Sequence, residues 1–94
     1  MQYGCVSVTA NAGENVVPLI FKELTGNIPV NTKCKLQFVG FETTAGTEIK
    51  LNGTPNMVPS NGRFYTPYDG VNHMTITSLS FDEGCSALSI WFMY

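Results

Sequence analysis

The chain has 94 residues, with five Lys and Arg, seven Asp and Glu, and only 13% charged residues, about half of the usual share of roughly 25%. This length fits a single domain over residues 1–94, and the few scattered basic residues exclude a nucleic-acid-binding patch. No segment has the roughly 20 apolar residues that cross a bilayer, and the start lacks the parts of an export signal. We therefore expect no nucleic acid, no membrane partner and no export.

The first segment of the chain alternates in a way that is typical of a strand. Val6 and Val8 fall on one face of residues 3–9, with smaller or polar residues on the other. Residues 10–15 hold a turn cluster of Ala, Asn and Gly. The sequence therefore predicts a strand that ends in a turn.

The most apolar early run is residues 16–21, which predicts a second strand. Pro18 lies inside this run and cannot donate a ladder hydrogen bond, so we expect the strand at a sheet edge or interrupted there. Residues 22–26 resemble one helical turn closed by glycine, which is too short to be stable without tertiary support. A loop that holds Pro29 is predicted over residues 27–32.

Residues 34–41 alternate as a half-buried strand with one solvent side. One face of this strand holds Cys34, Leu36 and Phe38, and the other face holds Lys35 and Gln37. Val39 and Phe41 break the alternation, because they are apolar and fall on the polar face. We therefore expect both faces of the strand to be buried at that end, one of them against another subunit. Residues 43–46 are predicted to form the turn that follows.

A tight hairpin is predicted in the middle of the chain. Residues 47–51 form its first strand, with Ile49 directed inward. Asn52 and Gly53 favour a two-residue turn, because both accept positive φ. The partner strand is predicted over residues 56–58.

The last third predicts three more strands. Residues 63–66 form a short strand, and the threonine-rich residues 74–81 form a long strand at the heart of a sheet. Residues 88–94 form the last strand, after a turn at residues 82–84. Both faces of that last strand are apolar. One face holds Leu88, Ile90, Phe92 and Tyr94, and the other holds Ser89, Trp91 and Met93.

These elements together define the expected fold class. Seven or eight short strands are joined by Gly, Pro and Asn turns, and no amphipathic helix is predicted. This pattern predicts an all-β fold, either a compact antiparallel β-sandwich or a small barrel.

The polar residues form no recognisable catalytic or metal site. His73 is the only histidine, and acid–base catalysis would need a neighbour to orient it. Asp69 and Asp82 are the nearest carboxylates in sequence, but neither forms a pattern with His73. Asp82 and Glu83 beside a glycine fall far short of a calcium loop. We therefore predict no enzyme activity, no cofactor and no metal.

The cysteine count points the same way. Cys5, Cys34 and Cys85 are odd in number and widely spaced, which argues against a disulfide framework and against a zinc site. We predict buried free thiols in a chain that is made in a reducing compartment.

Aromatic residues give the strongest functional lead. They cluster around Arg63 on one hairpin and again in the last four residues. Core filling is the plain interpretation, but Tyr, Trp, Met and Arg are favoured at interface centres. The predicted interface residues are Phe41, Arg63, Tyr65, Tyr68, Trp91, Phe92 and Tyr94. Sugar stacking is a competing use of Tyr65, Tyr68 and Trp91.

Three stretches of the second half resemble a segment of tailed-bacteriophage structural proteins. With h for a hydrophobic residue, residues 46–53 match the pattern G-T-x-h-x-h-N-G and residues 76–81 match I-x-S-L-S-F. Residues 59–65 resemble the step x-x-G-h-[FY], with Arg63 at the position of h. The resemblance implies a small β domain of the virion, in a capsid decoration, head-fibre, neck or tail component, that acts as a multimer. It brings no catalytic residue.

The sequence thus favours a virion structural protein that is made in the host cytoplasm and works by contact with other chains. A small free-standing protein normally keeps a charged surface, so the low charge favours a homo-oligomer docked on other virion proteins. A neutral monomer is the alternative interpretation of that low charge. A carbohydrate-binding module that recognises a host glycan is the alternative function, and an enzyme that uses His73 is the least favoured.

Overall fold

The structure is a computed structural model that describes residues 2–26, 34–43 and 47–94, with the backbone alone described for residues 25 and 85–88. The predicted loop over residues 27–32 lies outside the described residues, as do positions 44–46 of the predicted turn. Seven strands and one helix occur in the described part: β1 Tyr3–Ala10, α1 Val17–Thr25, β2 Phe38–Glu42, β3 Glu48–Leu51, β4 Thr54–Met57, β5 Arg63–Tyr65, β6 Leu79–Phe81 and β7 Cys85–Met93.

The strands form two antiparallel sheets. One sheet has the order β1-β7-β2-β5, and the other has the order β4-β3-β6. The apolar faces of the two sheets enclose the core, so the chain is an all-β sandwich rather than a closed barrel. The predicted fold class and strand number are confirmed. The largest fully buried side chains are Phe41, Phe81, Phe92, Ile20, Leu36, Ile49, Ile76, Leu79, Ile90, Val16, Val17 and Val39.

Residues 17–25 form a helix, so the strand predicted over residues 16–21 is wrong, as is the prediction that no amphipathic helix occurs. Pro18 falls in the first turn, where its missing N–H costs no helical hydrogen bond. Val17 and Ile20 are fully buried against the sheets, which supplies the tertiary support that a nine-residue helix needs. The predicted end is right, since Gly26 has a φ of 82° and its N–H donates to the Lys22 carbonyl.

The predicted long strand over residues 74–81 is also wrong in length and place. Only Leu79–Phe81 is a strand, and it lies at the edge of the three-stranded sheet. Two asparagine side chains bond the backbone of the preceding residues. The Asn52 amide donates to the Thr75 carbonyl over 2.8 Å and accepts from the Thr77 N–H over 2.9 Å. The Asn15 amide donates to the Thr77 carbonyl and accepts from the Leu79 N–H, each over 3.1 Å.

The predicted strand over residues 34–41 begins only at Phe38. Leu36 and Val39 are both fully buried, so the inward face changes phase between them. Gln37 lies at this irregular step, where its N–H donates to the Met93 carbonyl over 2.7 Å. Phe41 and Val39 therefore face the core, whereas Phe38 faces away from it, and the predicted faces of this strand are wrong.

The predicted hairpin is confirmed. Asn52 has a φ of 52° and Gly53 a φ of 82°, which are the two positive values that the turn requires. Leu51 pairs with Thr54 directly across the turn. The second strand, Thr54–Met57, therefore starts two residues earlier than predicted.

Candidate interaction surface

Strand β7 lies between β1 and β2, so both its edges are paired. Ile90 and Phe92 are buried in the core. Since side chains alternate along a strand, Trp91 and Met93 project from the opposite face, where Trp91 keeps 38% of its surface exposed. The predicted division of this strand into two apolar faces is confirmed at these residues.

The strand register extends this outward side into rows. Cys5, Trp91, Gly40 and Tyr65 are successive partners across β1, β7, β2 and β5. Residues directly opposite share a sheet face, so their side chains emerge together. In the next row, Tyr3 pairs with Met93, which pairs with Phe38. We call the large side chains of these two rows, together with the adjoining Tyr68 ring, the outer aromatic face: Tyr3, Phe38, Tyr65, Tyr68, Trp91 and Met93.

Gly40 lies beneath the rings of this face. A Cβ atom built on Gly40 would lie 2.5 Å from Cδ1 of Tyr65 and 3.3 Å from Cζ of Phe38. The two rings therefore cover the backbone at the position where any other residue would place a side chain. The ring centroids of Phe38 and Tyr65 are 6.5 Å apart and their planes differ by only 16°. Since Tyr65 is 55% exposed, its ring rests on the sheet and still presents surface to a partner.

Buried hydrogen bonds hold β5 in place beneath Tyr65. The Thr66 N–H donates to the Val39 carbonyl, and the Val39 N–H donates to the Thr66 hydroxyl, each over 3.0 Å. Thr66 is 3% exposed, so water does not compete well for these bonds. Tyr65 therefore lies on a rigid scaffold, although its strand has only three residues.

The aromatic contacts continue past the sheet into the next turn. Tyr68 meets Phe38 edge-on with centroids 6.2 Å apart, and its other neighbour is the His73 ring at 5.7 Å. Asp69 closes this turn, because its carboxylate accepts hydrogen bonds from the N–H groups of Val71 and Asn72 and from the Asn72 amide. The bonds from Asn72 are the main reason that the pKa of Asp69 falls to about 2 from its ordinary value of 3.8, and the bond from Val71 adds to them.

An ion pair lies at one end of the outer aromatic face. Arg63 is the partner of Glu42 in the β2–β5 pairing, and its Nε donates to Oε1 of Glu42 over 3.1 Å. This hydrogen bond, aided by the charge of Glu42, raises the pKa of Arg63 above its ordinary value. Both side chains are more than half exposed, so the pair forms a polar rim and contributes little to stability.

The structure separates the predicted interface residues into two groups. Tyr65, Tyr68 and Trp91 lie on the outer aromatic face, with Arg63 at its rim. Phe41 and Phe92 are fully buried in the core. Their prediction as interface residues is wrong, because Phe41 stacks on Phe64 and meets Phe81, whereas Phe92 faces inward beside Ile90.

Tyr94 also lies on the core side, where its half-buried ring packs against Phe21 and Phe92 with centroids 5.3 and 5.9 Å away. Three residues of the face, Tyr3, Phe38 and Met93, were not among the predicted interface residues, and neither was Gly40 beneath them. The two-residue spacing of Phe38 and Gly40, and that of Trp91 and Met93, places each pair on one face of its strand, which is a sequence signal for Phe38, Gly40 and Met93.

The described residues contain no group of three or more His, Cys, Asp and Glu side chains that could hold a metal ion. The Cys5 thiol is free and exposed and the Cys34 thiol is free and half-buried, so the prediction of buried thiols is wrong for Cys5. The Cys85 side chain lies outside the description. In the same part of the chain, no helix combines the length and the apolar character that crossing a membrane requires.

Comparisons of the chain with models of protein families, with curated proteins and with solved structures found no match.

Proposed function

We propose that this chain is a structural protein that works by contact with other protein chains, and that the outer aromatic face is its contact surface. The observation that supports the proposal is the presence of exposed, preorganised rings on the outer side of the four-stranded sheet. Tyr65 and Phe38 cover Gly40, and Trp91 lies in the row beside them. Burying apolar surface contributes roughly 25 cal/mol per Å², and rings already held in place lose little entropy on binding.

The charges on this surface favour a protein partner over a nucleic acid. Aromatic platforms that stack bases need a basic groove that follows the phosphate backbone. Among the described residues of the outer aromatic face and its rim, Arg63 is the one cation, and it is paired with Glu42. The chain also carries a net charge of −2, so no attraction for a polyanion is expected.

The virion context of the proposal rests on the sequence resemblance of the second half of the chain alone. In that context the chain is a small component of a capsid decoration, head fibre, neck or tail, made in the host cytoplasm and incorporated into the particle. Symmetric repetition would multiply individually weak contacts into tight attachment. The low share of charged residues, 13%, agrees with a surface that is covered by neighbours.

Glycan binding is the second candidate, because the Tyr65 ring lies against Gly40 and is 55% exposed. A flat ring can stack on the C–H face of a sugar, since the face of an aromatic ring is negative. Such sites also need polar groups that fix the orientation of the ligand. The Asp69 carboxylate is already used to close its own turn, and Arg63 is paired with Glu42. The face therefore suits a protein partner better.

The test compares two changes on the face with two changes elsewhere. Tyr65→Thr and Trp91→Thr remove rings from the outer aromatic face while they keep a residue that suits a strand. Met57→Thr and Val71→Thr remove apolar groups that do not belong to the face and are more exposed than Tyr65 and Trp91, at 60% and 82%. Light scattering and native mass spectrometry then report the assembly state, and a glycan array reports sugar binding.

We expect the two face variants to form smaller assemblies than the wild type, and the two control variants to assemble normally. If all four variants assemble alike, the outer aromatic face is not the contact surface. A monomer that binds a glycan through Tyr65 would support the second candidate instead.

A further inference from the structure

The two sheets have four edge strands. In the described part of the chain, three of these strands have a feature that hinders pairing with a further strand. Strand β4 contains Pro55, and β5 is only three residues long and begins with the charged Arg63. The open edge of β6 is occupied by the segment before α1, since the Gly13 and Val16 N–H groups donate to carbonyls of β6 over 2.9 and 2.8 Å. Proline, charge, short length and a covering segment are the usual means of blocking strand addition.

Within residues 2–26, 34–43 and 47–94, strand β1 has none of these features. It is eight residues long, forms the other edge of the four-stranded sheet, and contains neither proline nor a charged residue. Its sequence is Tyr-Gly-Cys-Val-Ser-Val-Thr-Ala, and its only irregularity lies between Val8 and Ala10, at its end. A strand edge of this length that lacks proline, charge and a covering segment is a template for pairing with another strand.

The register of β1 with β7 shows which backbone groups point to the open edge. Gln2 and Tyr94 exchange two hydrogen bonds, of 2.9 and 2.8 Å. Bonded and non-bonded pairs alternate along an antiparallel ladder, so the even-numbered residues of β1 bond to β7. The N–H and C=O groups of Tyr3, Cys5 and Ser7 therefore point away from the sheet, and no residue in the described part of the chain bonds to them.

We propose that the edge of β1 binds a second copy of this chain, with the two β1 strands antiparallel and Cys5 opposite Cys5 of the second copy. This register pairs Tyr3 with Ser7 of the other copy and Ser7 with Tyr3, and three bonded pairs give six hydrogen bonds. The result is a continuous eight-stranded sheet. The inference rests on the proposed function, for which it names the partner, but it uses a different surface.

Three observations select a second copy over another partner. The edge is self-complementary, because the outward groups are spaced symmetrically about Cys5. It carries no charge, so two copies do not repel one another as like charges on facing strands do. The pairing also joins the outer aromatic faces of both copies side by side, because Tyr3 lies at the margin of each face, and thus doubles the contact surface.

The sharpest test determines which residues of the two β1 strands lie opposite each other. In a Cys5→Ser background, Tyr3→Cys and Ser7→Cys variants are oxidised with diamide, separately and as a mixture. Paired residues on bonded strands have Cα atoms about 5.5 Å apart, within the range for a disulfide. We expect a linked dimer in the mixture and little in either sample alone. The wild type should link through Cys5, and the Cys5→Ser chain reports the background from Cys34 and Cys85.

A second test changes the edge without changing the ladder to β7. Ser7→Pro removes an outward N–H in each copy, which should raise the dimer dissociation constant about tenfold or more. Cys5→Lys places two ammonium groups opposite each other and should raise it about fivefold. Ser89→Lys adds the same charge to the same sheet face on a central strand and should leave the dimer intact. Thermal melts verify that each variant folds.

The results separate this inference from the proposed function. The edge is refuted if the wild type stays monomeric at high micromolar concentration, if the mixture links no better than its parts, or if both edge variants dimerise normally. The proposed function fails, and the edge stands, if Tyr65→Thr and Trp91→Thr change no assembly while the Cys5 link persists.

Discussion

Replacing Gly40 with alanine tests directly whether the missing side chain at position 40 is what lets the Tyr65 ring lie against the sheet. The new Cβ atom would lie 2.5 Å from Cδ1 and 2.9 Å from Cε1 of Tyr65, whereas carbon atoms in contact are about 3.5–4.0 Å apart. The Tyr65 ring must therefore move by about 1 Å or more. It is the far end of a side chain that is 55% exposed, so it can swing outward without disturbing the core.

The expected cost to stability is small because two effects nearly cancel. A fully displaced Tyr65 ring would uncover at most about 90 Å², worth roughly 2 kcal/mol, and a partial displacement costs about 1 kcal/mol. Alanine recovers roughly 0.5–1 kcal/mol over glycine within a strand. The free energy of unfolding of Gly40→Ala should therefore stay within about 1 kcal/mol of the wild type, and its Tm within about 4–8 °C.

Gly4→Ala is the matched control on the opposite face of the same sheet. Its Cβ atom would lie 3.1 Å from Cζ of Phe92, whose ring is buried in the core. Overpacking of this kind typically costs about 1–3 kcal/mol. We therefore expect Gly4→Ala to lower the Tm and leave assembly unchanged, whereas Gly40→Ala should weaken assembly and leave the Tm nearly unchanged.

Proton NMR gives a readout that is independent of any partner. A ring this close to Gly40 displaces its α-proton resonances by its ring current, and the Hα of residue 40 should lose that displacement in the Gly40→Ala variant. If the ring-current shift persists, or if the variant melts far below the control, the Tyr65 ring does not depend on Gly40 as described. If the ring moves and assembly is unchanged, the outer aromatic face is not the contact surface.

Three further predictions follow from single side chains. Trp91→Ala should destabilise the fold by less than the roughly 3–5 kcal/mol typical of a core tryptophan, because Trp91 is 38% exposed; denaturant unfolding measures this, and a full core cost would contradict the outward placement. Asn52→Gly should cost about 1–3 kcal/mol through the lost side-chain bonds, and Asn52→Ala about 1 kcal/mol more because its φ is positive; equal melts would refute the second step. Asp69 stabilises its turn above its ordinary pKa of 3.8 and should lose that contribution as the pH falls towards its folded pKa of about 2; amide shifts of Val71 and Asn72 should follow this titration, and Asp69→Asn should abolish it.

The parts of the fold that follow from local rules could be predicted from the sequence. The hairpin at Asn52 and Gly53 needs two residues that accept positive φ, and few residue pairs do so. The last strand alternates over enough residues to fix which side chains share a face. The sequence therefore predicts that Trp91 and Ile90 lie on opposite faces of this strand, and it leaves open which of the two faces meets the core.

The helix could not be predicted, because its signals are ambiguous in a short apolar run. Pro18 weakens a strand and also suits the first turn of a helix. The burial of Val17 and Ile20 fits either structure, and the choice depends on the sheets that cover them. Gly26 fixed only the end of the helix. Tertiary packing, which one sequence does not display, decides such cases.

The segment before β6 was predicted wrongly for a reason that is distant in sequence. Thr75 and Thr77 have the composition of a strand, but their backbone groups bond to the side chains of Asn52 and Asn15. These partners lie about 25 and 62 residues away. A rule based on neighbouring residues cannot detect them, although each asparagine was correctly placed near a turn.

The outer aromatic face depends on strand pairing, which explains why the sequence identified only some of its members. Trp91 and Tyr65 are 26 residues apart in the chain and become members of one row because Gly40 pairs with both. The same pairing places a glycine between two large side chains, which leaves room for the Tyr65 ring to lie against the backbone of Gly40. A bulky residue at position 40 would fill that row with its own side chain and lift the ring off the sheet. The glycine that weakens β2 as a strand is thus the residue that lets the four-stranded sheet hold aromatic rings close against its backbone.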